Sequence, residues 1–194
     1  MLDENVEGQL FLLERLPPGL HHKTLDVGFV GDKRGMTPAT GLILTEWVIC
    51  HQWMFREAHI MNDEGANYAF FGMVDLHSYH AQVHAYPPKK TAMQFPRATI
   101  HKAGGVLKQY DRIVDACNVL LVATDRDYEE FPNDPCWRAA RRAERQDKTV
   151  ICFYPQAVVG PSPWNFELPE QPGPIPIPHS LIEKAKRIAG AEEE

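Results

Sequence analysis

The stretch Leu25-Asp-Val-Gly-Phe-Val-Gly-Asp-Lys-Arg-Gly-Met-Thr-Pro38 reads as a buried strand, a glycine-rich turn and the start of a helix. Val27, Phe29 and Val30 supply a β-rich apolar run, and Gly28, Gly31 and Gly35 allow a tight turn or a close approach of backbone to a ligand. Thr37 is placed to cap the helix and Pro38 to open it, so free N–H groups and the positive helix end face whatever lies above the strand. A phosphate is the natural occupant. The spacing Gly28-x-x-Gly31-x-x-x-Gly35 matches neither the dinucleotide fingerprint nor the phosphate-binding loop of nucleoside triphosphatases. A ligand-free strand-to-helix turn, which any parallel sheet requires, is the plain alternative.

At 194 residues the chain has room for one α/β core with appendages rather than two domains of ordinary size. Twenty basic against 26 acidic residues give a net charge of −6, which argues against broad nucleic-acid binding. Cys50, Cys117, Cys136 and Cys152 lack zinc-finger or C-x-x-C spacing and read as reduced thiols, Cys117 and Cys152 lying in apolar segments. The opening Met1-Leu-Asp-Glu-Asn5 lacks the basic and apolar regions of a signal peptide, and no apolar run approaches the roughly 18 residues of a membrane span. The expected setting is cytoplasmic, with no membrane partner, cofactor or metal.

Downstream segments complete the unit begun by the first strand. Residues 39–53 read as a crossover helix, in which Gly41 implies a close packing contact. A strand over 57–61, a turn at Asn62–Gly65, a helix over 66–76 and a strand over 80–86 follow. Residues 89–105 read as a loop whose Lys89, Lys90, Arg97, His101 and Lys102 could close over an acidic ligand or simply be solvated. A helix begins at Val106, and Val119–Ala123 is the cleanest buried strand. The helix from Asp134 puts Arg138, Arg141, Arg142 and Arg145 on one stripe, toward water or a second subunit, before a fifth strand at 149–154. This alternation predicts a Rossmann-like α/β domain over 25–155, a parallel sheet of about five strands with helices on both faces. Ligands of such sheets lie beyond the carboxyl ends of the strands, which gathers 31–35, 62–67, 86–90 and 124–137 around one crevice.

Two appendages flank that domain. Residues 1–24 form an N-terminal arm, with a short helix over 9–16 and an adjacent pair, His21 and His22, that point apart in any regular structure. Residues 156–194 carry a proline-rich strap and, from the capping box Ser180–Glu183, a terminal helix. His80, Gln82 and His84 alternate along one strand face, with His77 nearby; a zinc site is conceivable there, but half-exposed polar alternation is the plainer reading.

The placed segments resemble the SLOG/LOG-like superfamily of Rossmann-like proteins, with its DprA-type and lysine-decarboxylase-like members, often found in bacteria and phages. Gly28–Pro38 is similar to the family's G-F-T-G-T-R-x-G-x-T, His59–Asn67 to H-x-G-D-x-x-G-A-D, Tyr86-Pro-Pro88 to H-P-P, and Gln109–Ala116 to R-N-x-x-I-V-D-A. Asp134-Pro-Cys-Trp137 occupies the place of S-G-T-W. The chain departs from the family at Met61-Asn62 and Asn67 in place of G-D and Asp, at Gln109-Tyr110 in place of R-N, and at Pro135-Cys136 in place of G-T. The phosphoribohydrolase members carry an acid where this chain has Ala139, and glycosidic cleavage needs such a positioned group.

The resemblance implies a non-catalytic protein that senses or sequesters a nucleotide or ADP-ribose derivative, and a homodimer. In that reading Gly31, Asp32, Lys33, Arg34 and Gly35 hold phosphate or ribose, Asn62 and Asn67 bond the sugar or base, and Tyr110 or Trp137 stacks on it. The alternative is a nucleoside or nucleotide N-glycosidic hydrolase or deoxyribosyltransferase-like enzyme, with Asp63, Glu64, Asp125 or Asp127 replacing the missing acid. A third reading makes the pocket vestigial and the strap and arginine face the working surfaces.

Overall fold

A computed structural model describes residues 24–90, 93–125, 134–155 and the backbone of 159–161. The N-terminal arm, the stretch 126–133 with Asp127, most of the proline-rich strap and the terminal helix lie outside the described residues.

The chain builds one sheet of seven strands in the order β4-β3-β2-β1-β5-β6-β7. Strands β1 (Leu25–Gly31), β2 (Phe55–Met61), β3 (Gln82–Tyr86), β4 (Thr99–Ile100), β5 (Val119–Ala123) and β6 (Thr149–Phe153) run parallel. Strand β7 (Val159–Pro161) closes the edge antiparallel to β6. The parallel strands thus number six rather than about five. The extra one is β4, two residues long inside the segment expected as loop, too short for any alternation to show.

The opening stretch is the centre of this sheet. Val27 faces Ala58 on one side and Val119 on the other, and every residue of β1 except Asp26 is buried. A strand flanked on both sides and covered on both faces must be apolar throughout, which explains its continuous hydrophobic run. Helices α1 (Pro38–His51) and α2 (Ala66–His77) cover one face through Ile43, Leu44, Trp47, Phe70 and Val74, which pack on Val27, Phe29, Ala58 and Ile60. Helices α3 (Val106–Ala116) and α4 (Pro135–Glu144) cover the other through Ile113, Val114, Trp137 and Ala140, on Val30, Leu120 and Val122.

Local chemistry sets the helix starts. Thr37 caps α1, its Oγ1 accepting from the Thr40 amide at 3.1 Å, and Asp134 caps α4 through the amides of Cys136 and Trp137. Pro38 and Pro135 open the two helices.

Three expectations change. Gly41 makes no close contact, since a Cβ built there meets nothing within 4 Å. On the arginine stripe, Arg138 pairs with Asp111 at 3.0 Å and Arg142 with Asp115 at 2.8 Å, so these two, each more than a third exposed, clasp α4 to α3 as well as facing water. Arg97 does not close over the strand ends: it bonds Asp75 and the Tyr79 carbonyl, at the end of α2 remote from them.

Candidate functional site

The strand order reverses between β1 and β5: from β1 the chain proceeds outward through β2 to β4, then returns to build β5 on the other side. Such a reversal opens a crevice above the carboxyl ends of the two strands, because the connections leave in opposite directions. The β1–α1 loop spans this point. Its Asp32 amide donates to the Ala123 carbonyl at the end of β5 (3.2 Å). At its far end the Thr37 hydroxyl donates to Pro155 O at 3.1 Å and the Thr40 hydroxyl to Tyr154 O at 3.0 Å, just past β6. Midway, the Arg34 guanidinium bonds the Asp32 carboxylate (3.1 and 3.3 Å) and that of Asp125.

Much of the amide cradle expected for a phosphate is committed to this scaffold. The Arg34 amide donates to Asp32 Oδ1 at 2.7 Å, and the Gly35 and Ala66 amides both donate to Asp32 O at 3.1 Å. An anion here meets the side chains of Lys33 and Arg34 rather than a ring of loop N–H groups.

The β2–α2 turn forms the second wall. Gly65 has φ of +76°, and a Cβ on it would lie 2.1 Å from the Lys33 carbonyl oxygen, so only glycine lets the two loops meet. Gly31 has the same role toward α2: its absent Cβ would stand 2.5 Å from that of Ala66. This glycine is explained by helix packing, not by a ligand. Beside it, the Asn67 amide nitrogen donates to Gly31 O (3.2 Å) and to Asp63 Oδ1 (2.8 Å), and the Tyr110 hydroxyl donates to the same Gly31 carbonyl (3.1 Å). Both partners of that Asn67 group are acceptors, which fixes the orientation of its amide.

Asp63 is only 7% exposed, and burial pushes its carboxyl up to about 6, against the opposing effects of the Asn67 bond and of Lys33. Lys33 itself pairs with exposed Glu64 at 3.1 Å. Among the described residues the rim carries the carboxylates of Asp32, Asp63, Glu64 and Asp125 against two cations, Lys33 and Arg34.

The remaining residues named from sequence have other partners. Asn62 is buried and its side-chain oxygen accepts from the Met93 amide at 2.7 Å, anchoring the segment after β3. Tyr110 and Trp137 are 5% and 2% exposed, so both rings belong to the core beneath the crevice and neither is placed to stack on a ligand. Burial drives the Tyr110 hydroxyl and the Cys136 thiol beneath the rim well above their ordinary ranges, so both stay protonated. Gln109, where the resembled family has arginine, bonds the carbonyls of Pro87 and Lys102 and draws the long segment after β3 onto α3. Sequence reasoning passed over Gly65 and Thr40 as site-builders; the turn residues before α2 and the hydroxyl three places after the cap were the available signals.

A second polar cluster lies on the α3 side of β2 and β3. The rings of His59 and His84 stack at 4.9 Å, His84 Nδ1 lies 3.1 Å from His101 Nε2, and His101 stacks on Tyr86 at 4.3 Å. Glu57 Oε2 lies 3.2 Å from His59 Nε2 and 3.6 Å from His84 Nε2. Stacked imidazoles hold their lone pairs in near-parallel planes, here 15° apart, so the two cannot aim at one ion. No metal-binding group of three such side chains occurs among the described residues. His80, in the turn before β3, is not part of the cluster. Burial, reinforced by His84, lowers His59 to about 4, so its ring is neutral at physiological pH.

Among the described residues no helix is long and apolar enough to cross a membrane. No protein-family model matches the chain, and no curated protein and no solved structure matches it significantly, so the candidate site stands on its own geometry.

Proposed function

We propose that the crevice above β1, β2 and β5 binds a phosphorylated, nucleoside-type small molecule, a nucleotide or ADP-ribose derivative, as a sensor or sequestering protein. The observation that carries this reading is the convergence of charged side chains on the strand-order reversal, where α/β sheets hold their ligands. Lys33 and Arg34 are the phosphate-facing groups; Asp32, Asp63 and Asp125 are acceptors for ligand hydroxyls. With this reading goes placement of the chain as a divergent SLOG/LOG-like protein of bacterial or phage origin, cytoplasmic and homodimeric. Mass spectrometry of small molecules released from freshly purified protein tests it, together with thermal shift against nucleoside monophosphates and ADP-ribose. A phosphorylated nucleoside should be released, or should raise the midpoint in the wild type and do so less in Arg34→Ala. No release and no shift with any of these ligands would overturn the proposal.

A hydrolytic reading is favoured by one observation, the Asp63 carboxyl lifted to about 6, a value suited to proton transfer near neutral pH. Chromatography for free base after incubation with nucleoside monophosphates separates the two. Release that is abolished in Asp63→Asn would establish turnover.

A further inference from the structure

We propose that the apolar end of the α1–α2 layer, marked by Trp53, Leu76 and Tyr79, is a docking surface, and that its occupant is residues 9–16 of this same chain, laid on it as an amphipathic segment. The inference is independent of what the crevice binds.

The two helix layers present different chemistry to solvent. The outer side of α3 and α4 is charged, with Lys108, Arg112, Asp115, Arg138 and Arg142. Along α1 and α2 the carboxylates are Glu46 and Asp75, there is no lysine or arginine, and Asp75 is engaged by Arg97. The three most exposed large apolar side chains among the described residues are Leu76 at 74%, Tyr79 at 72% and Trp53 at 62%. All three sit at one end of the uncharged layer. Trp53 follows α1 and leads into β2, while Leu76 and Tyr79 lie at the end of α2 and lead into β3. The starts of these strands are side by side in the sheet, with Asp26 beside Glu57 and Glu57 beside Gln82. Apolar groups gathered in one place, unlike singly scattered ones, mark an interaction surface.

The chain itself carries the complement. Strand β1 begins at Leu25, which pairs with Phe55, two residues past Trp53, so residues 1–23 join the sheet at this same end. Residues 17–23 span up to about 25 Å when extended, enough to bring 9–16 onto the layer beside the strand starts. In Gln9–Leu16, Leu10, Leu13 and Leu16 recur at helical spacing with Leu12 beside them, and Glu14 and Arg15 fall on the opposite side. So short a segment does not hold a helix alone in water, and an apolar partner is what stabilises it. Its tether keeps it near the surface at an effective concentration on the order of millimolar, which favours it over a second copy of the chain.

Hydroxyl-radical footprinting of the full chain, read residue by residue by mass spectrometry, tests the proposal. Trp53 and Tyr79 should be labelled severalfold less in wild type than in the double variant Leu13→Asp with Leu16→Asp, while Leu107, on the opposite layer, is labelled equally in both. On the receiving side, Leu76→Asp should raise the labelling of Leu13 by a similar factor. Buried Trp137 reports whether each variant keeps its core. Should the double variant unfold, Leu76→Asp carries the test, because Leu76 takes no part in the core of the described residues. Equal labelling of Trp53 and Tyr79 in wild type and a folded double variant, or labelling of Leu13 unmoved by Leu76→Asp, overturns the proposal. Protection of Trp53 and Tyr79 that fades on dilution, with a dimer seen by light scattering, also overturns it and gives the surface to a second copy.

Discussion

The rim at β1, β2 and β5 and the histidine array on β2 and β3 are both polar clusters set into a hydrophobic sheet, and they are closed in opposite ways. In the array every ring lies against another ring, and the His59 and His84 Nε2 atoms, sealed from solvent, face Glu57. At the rim, Asp63 is equally buried but keeps an open oxygen. Burial disfavours the charged form in both, lowering a histidine in one and raising a carboxyl in the other. The array is thus closed by packing among its own members, whereas the rim keeps one carboxylate oxygen of Asp63 without a partner among the described residues. That contrast is why the proposed function is placed at the rim and not at the array.

The largest expected effect comes from separating the walls of the rim. Gly65→Ala puts a Cβ 2.1 Å from the Lys33 carbonyl in a conformation reserved for glycine, so the β1–α1 loop must move or the turn must refold. Combining the φ penalty with the clash gives a destabilisation of about 4 kcal/mol. Denaturant unfolding should register this loss, and ligand binding should vanish, while the histidine array, built on other residues, stays as it is. Retention of wild-type stability would mean that the two loops are not in contact, and the rim as described would dissolve.

Next in size are two pH dependences of opposite sign. The folded value of His59, about 4, lies below its unfolded value of 6.5, so its contribution is fully present above about 6.5 and is lost as pH falls toward 4, a change of about 3 kcal/mol. Asp63 is raised from 3.8 to about 6, so its contribution is present below the unfolded value and is lost as pH rises through 6, about 2 kcal/mol after solvent screening. The two oppose each other over the same window, and their joint effect in the wild type is small. Asp63→Asn should therefore be the more stable protein at pH 7 and lose stability more steeply on acidification, and His59→Gln should lose less than wild type or gain. Parallel pH–stability curves for the two variants would refute the contrast between the clusters.

How far all this could be read from the chain depends on the range of the interactions. The strand–turn–helix opening, the caps at Thr37 and Asp134 and the Val119–Ala123 strand are local, and apolar run, cap and proline state them directly. Strand β4 was illegible because it is defined by pairing with β3, not by its own two residues. At the site, Asp32, Lys33 and Arg34 could be placed because they follow the central strand. The inward turn of Tyr110 and Trp137 and the use of Asn62 to anchor Met93 depend on contacts 17 or more residues away, which residue type alone does not reveal.

The smallest effect supplies a control for both clusters. Gly41 lies in the first turns of α1, and a Cβ there meets nothing within 4 Å, so alanine fits without strain and removes backbone freedom from the unfolded chain. The expected gain is about 1 kcal/mol, visible as a rise of a few degrees in the unfolding midpoint. Because α1 carries the far end of the rim loop through Thr37 and Thr40, this variant firms the scaffold without altering any charge in the crevice. Nucleotide affinity should be unchanged from wild type. A stabilised Gly41→Ala with weakened binding would show that the loop must flex to admit its ligand, and would move the recognition step from the carboxylates to the helix that carries them.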